Sequence, residues 1–520
     1  MSNLHTAELE LALDALPRLY PGPGGTAGVV SEGRIIAAKA WGYADLARHR
    51  PMETGTRLPI CSITKQFTCG VLISLFADPD RLDAGVARLL PRFKEALPSI
   101  EELCNNQSGL RDYWALTVLL GASAGQIFDR EDAIRMFATM ERSHFAPGTR
   151  YSYSNGNFRL LAEMIEAESG RSLECHYRDV IWKPAGMETA ISAPDTRFPV
   201  DDVIGYEGNA ASGFFPAANG IYWVGDAGIS ASLKDMLAYE RWIDKYHDDA
   251  DALYARLARP VKFRDGTPAA YGFGVAHGKL GDFDTTGHGG ALRGFRAHRL
   301  HVASERLSVF VAFNHEADAH HAALHLGRAA LGIPQLRTVA VDESWRGQWT
   351  CSETGLICRI DTGETGATLN FATGREKLTS ASDGSLHGPI TSMTRTGTTL
   401  TMSRPKENLV SHLMPLERVE TADAIEIAGR YACDELDAAM IIETADCGVY
   451  LRFEGFLGVG PMELVSSAGP DTWTVTTRRT LDAPAPGEWT LSIRRGMSGA
   501  VAGCVLGCWL AHGLRYRKVS

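Results

Sequence analysis

Apolar positions recur with two different periods along this chain, and the change from one to the other divides it. Up to about residue 330, stretches of helical spacing alternate with strand-like runs, whereas beyond about residue 338 short strands follow one another between Gly, Asp and Thr turns. The segment Leu331-Gly-Ile-Pro-Gln335 marks the boundary. In the first part, Met1 to Tyr20 mixes Glu8, Glu10 and Asp14 into a helical apolar pattern, and Gly33 to Gly42 reads as a strand ending in a turn. The spacing predicts helices over Lys65–Phe76 and Phe158–Ser169, the second closed by Gly170. Leu307-Ser-Val-Phe-Val-Ala-Phe313 is a run of bulky, β-favouring residues that suits a buried strand. Strands at both ends with helices between them describe an α+β layer sandwich.

The later part carries a weak internal repeat. Trp345-Arg-Gly-Gln-Trp-Thr-Cys351 is echoed 82 residues on by Ala428-Gly-Arg-Tyr-Ala-Cys433, each with Gly, an aromatic two positions later and Cys two further. Strand-like runs follow each copy, Ala367–Phe371 in one and Val449–Phe453 in the other. Two antiparallel β-barrels are therefore expected, giving domains at residues 1–331, 338–417 and 421–520.

Composition narrows the possible partners. The 520 residues, 45% hydrophobic and 22% charged, can fill two to four cores. With 52 Lys and Arg against 62 Asp and Glu, the net charge of -10 argues against nucleic acid. No apolar stretch approaches the roughly 18 to 20 residues that span a bilayer, and no basic, apolar leader is visible, so neither a membrane span nor export is expected. The ten cysteines read as reduced core residues of a cytoplasmic protein.

Three segments could carry chemistry. Ser62-Ile-Thr-Lys65 precedes the apolar helical run Phe67 to Leu75, which puts Ser62 in a first turn and Lys65 one turn on, on the same face. A serine hydroxyl needs a neighbouring base, and a desolvated lysine can take part in removing its proton. Ser403-Arg-Pro-Lys406 has the same spacing but sits in the β region with a proline inside, where a helix is unavailable. Tyr153-Ser154-Asn155 precedes a second helix; a buried tyrosine beside a lysine ammonium can be held as, or readily become, a phenolate, and so act as the proton acceptor for the serine. The third segment, His288-Gly289-Gly290-Ala291, lets a substrate backbone lie close against a strand. His321 and His325 have helical spacing, but Ala319 stands where a His-Glu-x-x-His zinc motif needs histidine, and Cys504 and Cys508 lack a second ligand pair; no metal is expected. Cys61 and Cys69, flanking Ser62 and Lys65, read as core packing.

In this chain order the three segments resemble the penicillin-recognising serine hydrolases, which comprise class C β-lactamases, D-alanyl-D-alanine carboxypeptidases and D-peptidase relatives. Those enzymes use Ser-x-x-Lys, then Tyr-x-Asn or Ser-x-Asn, then Lys-Thr-Gly. Ser108-Gly-Leu-Arg-Asp-Tyr113, Pro147-Gly-Thr149, Lys183-Pro-Ala-Gly-Met187 and Gly228-Ile-Ser230 are similar to the family's connecting segments, so the resemblance covers about residues 10 to 330. It implies a β-lactamase-like sandwich with Ser62 as nucleophile, Lys65 as its partner, Tyr153 as general acid and base, and Asn155 on a substrate amide. His288, Gly289, Gly290 and Ala291 would line the substrate, and the backbone N–H groups of Ser62 and Ala291 would form the oxyanion hole; in other hydrolases one such donor is worth about 3 kcal/mol. No cofactor is implied.

The departure from the family is His288, where most members have lysine. Histidine is mostly neutral at pH 7 and offers no fixed cation to the carboxylate of a peptide or of penicillin, which argues against carboxypeptidase and ordinary β-lactamase activity. With two C-terminal barrels, the pattern is most similar to the bacterial D-aminopeptidases, which release an N-terminal D-residue of the D-Ala type from peptides, amides and esters. A D-specific endopeptidase, an amidase, an esterase or a non-catalytic binder of peptidoglycan-like ligands are the alternatives. An aminopeptidase must also recognise an ammonium. Thr476 to Gly487, a long connection stiffened by Ala483-Pro-Ala-Pro-Gly487, is expected to project toward Ser62 and to offer Asp482, its only carboxylate. The expected partners are a small peptide or amino-acid amide, β-lactams as weak inhibitors, and a second copy in a homodimer.

Overall fold

Leu9, Ala12, Leu13 and Leu16 recur at helical spacing and form the buried stripe of helix α1 (Thr6–Leu19). The structure, a computed structural model, describes residues 4–334, 340–417, 424–445, 448–476, 480–482 and 487–520. Helix α1 lies on a sheet built from both ends of the first domain. Its strands are β1 (Gly24–Ser31), β2 (Arg34–Asp45), β3 (Arg50–Pro51), β4 (Tyr271–Gly272), β5 (Val275–Leu280), β6 (Phe283–Leu292), β7 (Phe295–Val302) and β8 (Leu307–Phe313), in the order β4-β5-β6-β7-β8-β1-β2-β3. The predicted 307–313 strand is thus the fully buried β8, and the strand predicted to end at Gly42 runs on to Asp45.

Alternation along β8 assigns the two faces. Val309 and Val311 pack with α1 and with α5 (Ala319–Ala330), while Phe310 and Ala312 join the larger core, which includes residues of α2 (Thr64–Leu75), α3 (Asn155–Ser169) and α4 (Leu233–Lys245). Helix α3 begins three residues before the predicted start and ends as expected, with Gly170 at φ 65°. Pairing of β5 with β6 stops at Gly287, so residues 288–292 pair only with β7 among the described residues and their other edge is open.

Two antiparallel barrels follow, as the strand pattern predicts. In the first, Gly347–Cys351 pairs with Leu409–Pro415 and closes eight strands. In the second, Gly429–Cys433 begins a set of eight that closes through Ala438–Ala445 on Gly448–Gly455, with the short strand Gly458–Val459 appended. The two Gly-x-aromatic-x-Cys segments are the first strands of their barrels, and Trp349, Cys351, Tyr431 and Cys433 all point into the cores. Among the described residues, no helix is long and apolar enough to cross a membrane.

Candidate active site

The chain enters α2 through a short turn, Cys61–Ile63, with Cys61 held in the left-handed region at φ 52°. A non-glycine residue there costs on the order of 1–3 kcal/mol, and the surroundings must impose it. The turn sets Ser62, partly exposed, at the head of α2 and buries Lys65 completely.

Lys65 has three ammonium hydrogens and three acceptors. It donates to Ser62 Oγ at 3.0 Å, to Asn155 Oδ1 at 2.8 Å and to the backbone carbonyl of Asp226 at 2.7 Å. Burial disfavours its charge more than Asp226, Asp112 and Asp482 favour it, so its pKa falls to about 8. A neutral amine is therefore accessible close to physiological pH.

Tyr153 hydrogen-bonds Ser62, and its ring centroid lies 5.0 Å from Lys65 Nζ. Of the two states the sequence allowed, a standing phenolate is disfavoured here. Burial drives the Tyr153 hydroxyl well above the usual tyrosine range, Asp112 and Asp226 push it further, and the ammonium hydrogens are committed elsewhere. Tyr153 rests as a phenol.

Asn155 is held at both ends. Its backbone N–H donates to Asp112 Oδ1 at 2.7 Å and its Nδ2 donates to the same oxygen at 3.1 Å, while Oδ1 accepts from Lys65. The side chain expected to meet a substrate amide thus orients the lysine in the free protein. Asp112 is buried, and desolvation followed by the nearby Asp482 pushes its pKa up to about 7. Asp226, which accepts from the Tyr113 hydroxyl at 2.7 Å, is likewise raised by burial.

Strand β6 supplies the opposite wall. A Cβ on Gly290 would lie 2.3 Å from the Ile60 carbonyl, so only glycine lets the strand approach the turn that carries Ser62. His288 Nδ1 lies 2.5 Å from the Gly289 carbonyl, which can only accept, so Nδ1 carries the proton and Nε2 accepts from the Tyr271 hydroxyl at 2.9 Å. Burial, with Lys65 next, drives the His288 pKa down to about 3, leaving the ring neutral. Behind it, Arg299 pairs with His288 across β6 and β7 and donates to Glu240 of α4 at 2.7 and 2.9 Å and to Gln66 of α2 at 3.2 Å.

A cleft of about 580 Å³ brings Ser62, Tyr153, Asn155, His288, Gly289, Gly290, Ala291 and Asp482 to one surface. Asp482 comes from the second barrel. Its carbonyl accepts from Arg293 N at 2.8 Å and its Oδ1 from Thr480 Oγ1 at 2.8 Å. Burial raises its pKa to about 6, so it is largely ionised at pH 7. Residues 477–479 and 483–486 of the expected stiff loop lie outside the described residues.

Residues 13–332 match the Beta-lactamase family model, and residues 338–517 match the model of D-aminopeptidase, domain B. The D-aminopeptidase of Cereibacter sphaeroides is 57% identical over 511 residues, covering 98% of this chain and 99% of that protein. That of Brucella melitensis is 45% identical over 522 residues, with 100% of both chains covered.

This chain belongs to the D-aminopeptidase family.

Solved structures agree at the level of fold. The octameric penicillin-binding protein homologue from Pyrococcus abyssi superposes with a TM-score of 0.53 at 16% identity, over 98% of this chain and 99% of that one. The D-amino acid amidase from Ochrobactrum anthropi SV3, complexed with D-phenylalanine, gives 0.51 at 19% identity, over 62% and 98%. In this D-aminopeptidase family member both barrels grip the segments that bear site residues. From the second barrel, the Leu510 carbonyl accepts from Asp112 N at 2.9 Å and the His512 carbonyl from Arg111 Nε at 3.1 Å; from the first, the Glu407 carbonyl accepts from Tyr151 N at 3.2 Å. Sequence reasoning missed Asp112 and Asp226 as neighbours of Lys65. Asp112 lay inside the Ser108–Tyr113 segment already singled out, and Asp226 two residues before Gly228-Ile-Ser230; neither position advertises a carboxylate aimed at a lysine.

Proposed function

We propose that the chain is a serine hydrolase that releases an N-terminal D-amino acid of the D-alanine type from peptides, amides and esters through an acyl-enzyme on Ser62. What carries the reading is that Ser62, 3.0 Å from a lysine acidified to about 8, shares its cleft with Asp482, an anion able to bind a substrate ammonium and close the acyl side. The neutral Lys65 amine takes the Ser62 proton as Oγ attacks the carbonyl. The Tyr153 phenol gives its proton to the leaving nitrogen and is recharged from the Lys65 ammonium. Water then attacks the ester and returns a proton to Ser62 Oγ by the reverse route. Backbone N–H groups of Ser62 and Ala291 hold the oxyanion. With His288 neutral, the carboxylate of a penicillin meets no cation from the third motif, which makes β-lactams weak inhibitors. Nine described cysteines, all free thiols, support a cytoplasmic placement.

The test pairs D-Ala-p-nitroanilide and its L isomer with N-acetyl-D-Ala-p-nitroanilide. The parent should cleave the free D substrate and spare the other two. Asp482→Asn should lower kcat/KM for the free D substrate by about thirtyfold, the worth of one hydrogen bond between charged groups. Ser62→Ala should lose about a thousandfold or more. A parent that cleaves the acetylated or L substrate equally well contradicts the proposal.

A further inference from the structure

One wall of the cleft takes no part in the chemistry above. On β7, Arg296 and His298 stand opposite Ala291 and Gly289, and His320 and Asp318 sit at the start of α5. His298 is only 8% exposed; its Nε2 lies 3.1 Å from His320 Nδ1, and its Nδ1 is buried with no hydrogen-bond partner. His298 Nδ1 would lie 3.2 Å from a Cβ on Gly289, its cross-strand partner on β6. Burial holds His298 well below its ordinary range, and partial desolvation lowers the more exposed His320 as well, so both imidazoles are neutral at pH 7.

The direction of a bound substrate follows from the aminopeptidase reading, on which this inference rests. Asp482 is tied to Arg293, just past the C-terminal end of β6, so the ammonium lies at that end. Gly290 abuts the turn carrying Ser62 and marks the scissile carbonyl. What leaves must run toward His288 and Gly289, and there the flanking wall is the His298 and His320 pair.

The charges on this wall select what fits. Arg296 is the one cation lining the cleft among the described residues, and it is drawn toward Glu316 and the backbone. It donates to the carbonyls of Leu292 and Phe295 at 2.7 Å each and to Glu316 at 3.3 Å. Asp318, exposed, caps α5 by accepting from His321 N at 2.9 Å and adds a negative charge. A carboxylate placed here faces the Asp318 anion, while Arg296 is paired with Glu316 and Lys406, whose charge reaches His320, lies outside the cleft lining; an uncharged amide finds imidazole nitrogens without that repulsion.

We infer that the His298–His320 pair forms the leaving-group subsite, which takes the uncharged amide of the residue after the scissile bond and disfavours a free α-carboxylate there. Three substrates separate this from the reading beneath it: D-Ala-NH2, whose departing ammonia is too small to reach the wall, D-Ala-Gly-NH2 and D-Ala-Gly. The parent should favour D-Ala-Gly-NH2 over D-Ala-Gly by about tenfold in kcat/KM. His320→Ala should keep D-Ala-NH2 hydrolysis within twofold and lose about fivefold to tenfold on D-Ala-Gly-NH2, through KM, as removal of one neutral hydrogen bond predicts. Equal loss on both amides, no loss on either, or a parent that prefers the free dipeptide overturns the subsite. A parent inert toward D-Ala-NH2 itself would sink the aminopeptidase reading instead.

Discussion

Replacing Asp112 by Asn removes a charge from behind Asn155 while keeping the side chain's shape, and it should shift the pH at which Ser62 becomes reactive. Asp112 Oδ1 accepts from Asn155 Nδ2 at 3.1 Å, and Asn155 Oδ1 accepts from Lys65 at 2.8 Å. Across the intervening amide, the carboxylate and ammonium stand on the order of 7 Å apart, where an effective dielectric constant of about 20 gives an attraction of about 2.4 kcal/mol. At about 1.4 kcal/mol per pH unit, this attraction raises the Lys65 pKa by up to about 1.7. Asp112 itself, at about 7, is mostly ionised where Lys65 titrates near 8, so most of the attraction is in force. The sign is fixed: losing an anion makes the ammonium less favourable, so the amine deprotonates at lower pH. The assay is the rate of Ser62 phosphonylation by an uncharged fluorophosphonate as a function of pH, which avoids the titration of a substrate amino group near pH 8. The parent should show a midpoint near pH 8, and Asp112→Asn one lower by between about one and two pH units. A midpoint that stays put or rises would falsify the assignment of Lys65 as the titrating base and of Asp112 as its support.

Two further outcomes follow from the β6 wall. His288→Lys places a cation where the neutral imidazole now sits, and acylation by penicillin should rise by about tenfold relative to hydrolysis of D-Ala-NH2; unchanged relative rates would show that this position does not set the preference. Gly290→Ala drives a Cβ into the Ile60 carbonyl at 2.3 Å and should cost about 1–3 kcal/mol, read as a lowered Tm, whereas Gly289→Ala meets His298 Nδ1 at 3.2 Å and should cost less. Equal Tm values for the two would contradict the close approach of β6 to the serine turn.

Local pattern carried the elements whose reasons are local. The run Leu307–Phe313 is apolar on both faces because helices cover both sides of β8, and that is visible in seven residues. The start of α3 was misjudged because its first N–H is satisfied by Asp112, 43 residues earlier, and no neighbouring letter records that bond. The same reason hid the acidic surroundings of Lys65: Asp112, Asp226 and Asp482 come from three separate stretches and converge only after folding. Tyr153 shows the opposite failure. Its motif was legible, but its protonation depends on burial and on where three ammonium hydrogens go, and both are properties of packing.

The grip of the second barrel on the hydrolase has a consequence in time. Ser62 is synthesised about 420 residues before Asp482, an interval on the order of 20 to 80 s at ordinary translation rates. Through that interval a growing chain already holds its serine and lysine, yet the Leu510 carbonyl that accepts from Asp112 N and the Asp482 carboxylate of the cleft have still to be made. On the proposed mechanism, the nascent molecule would lack the carboxylate that binds a substrate ammonium until the last barrel closes. If Asp482 plays its proposed part, discrimination is the final step of maturation, and a molecule stalled before that step should react with acylated substrates that the finished one refuses.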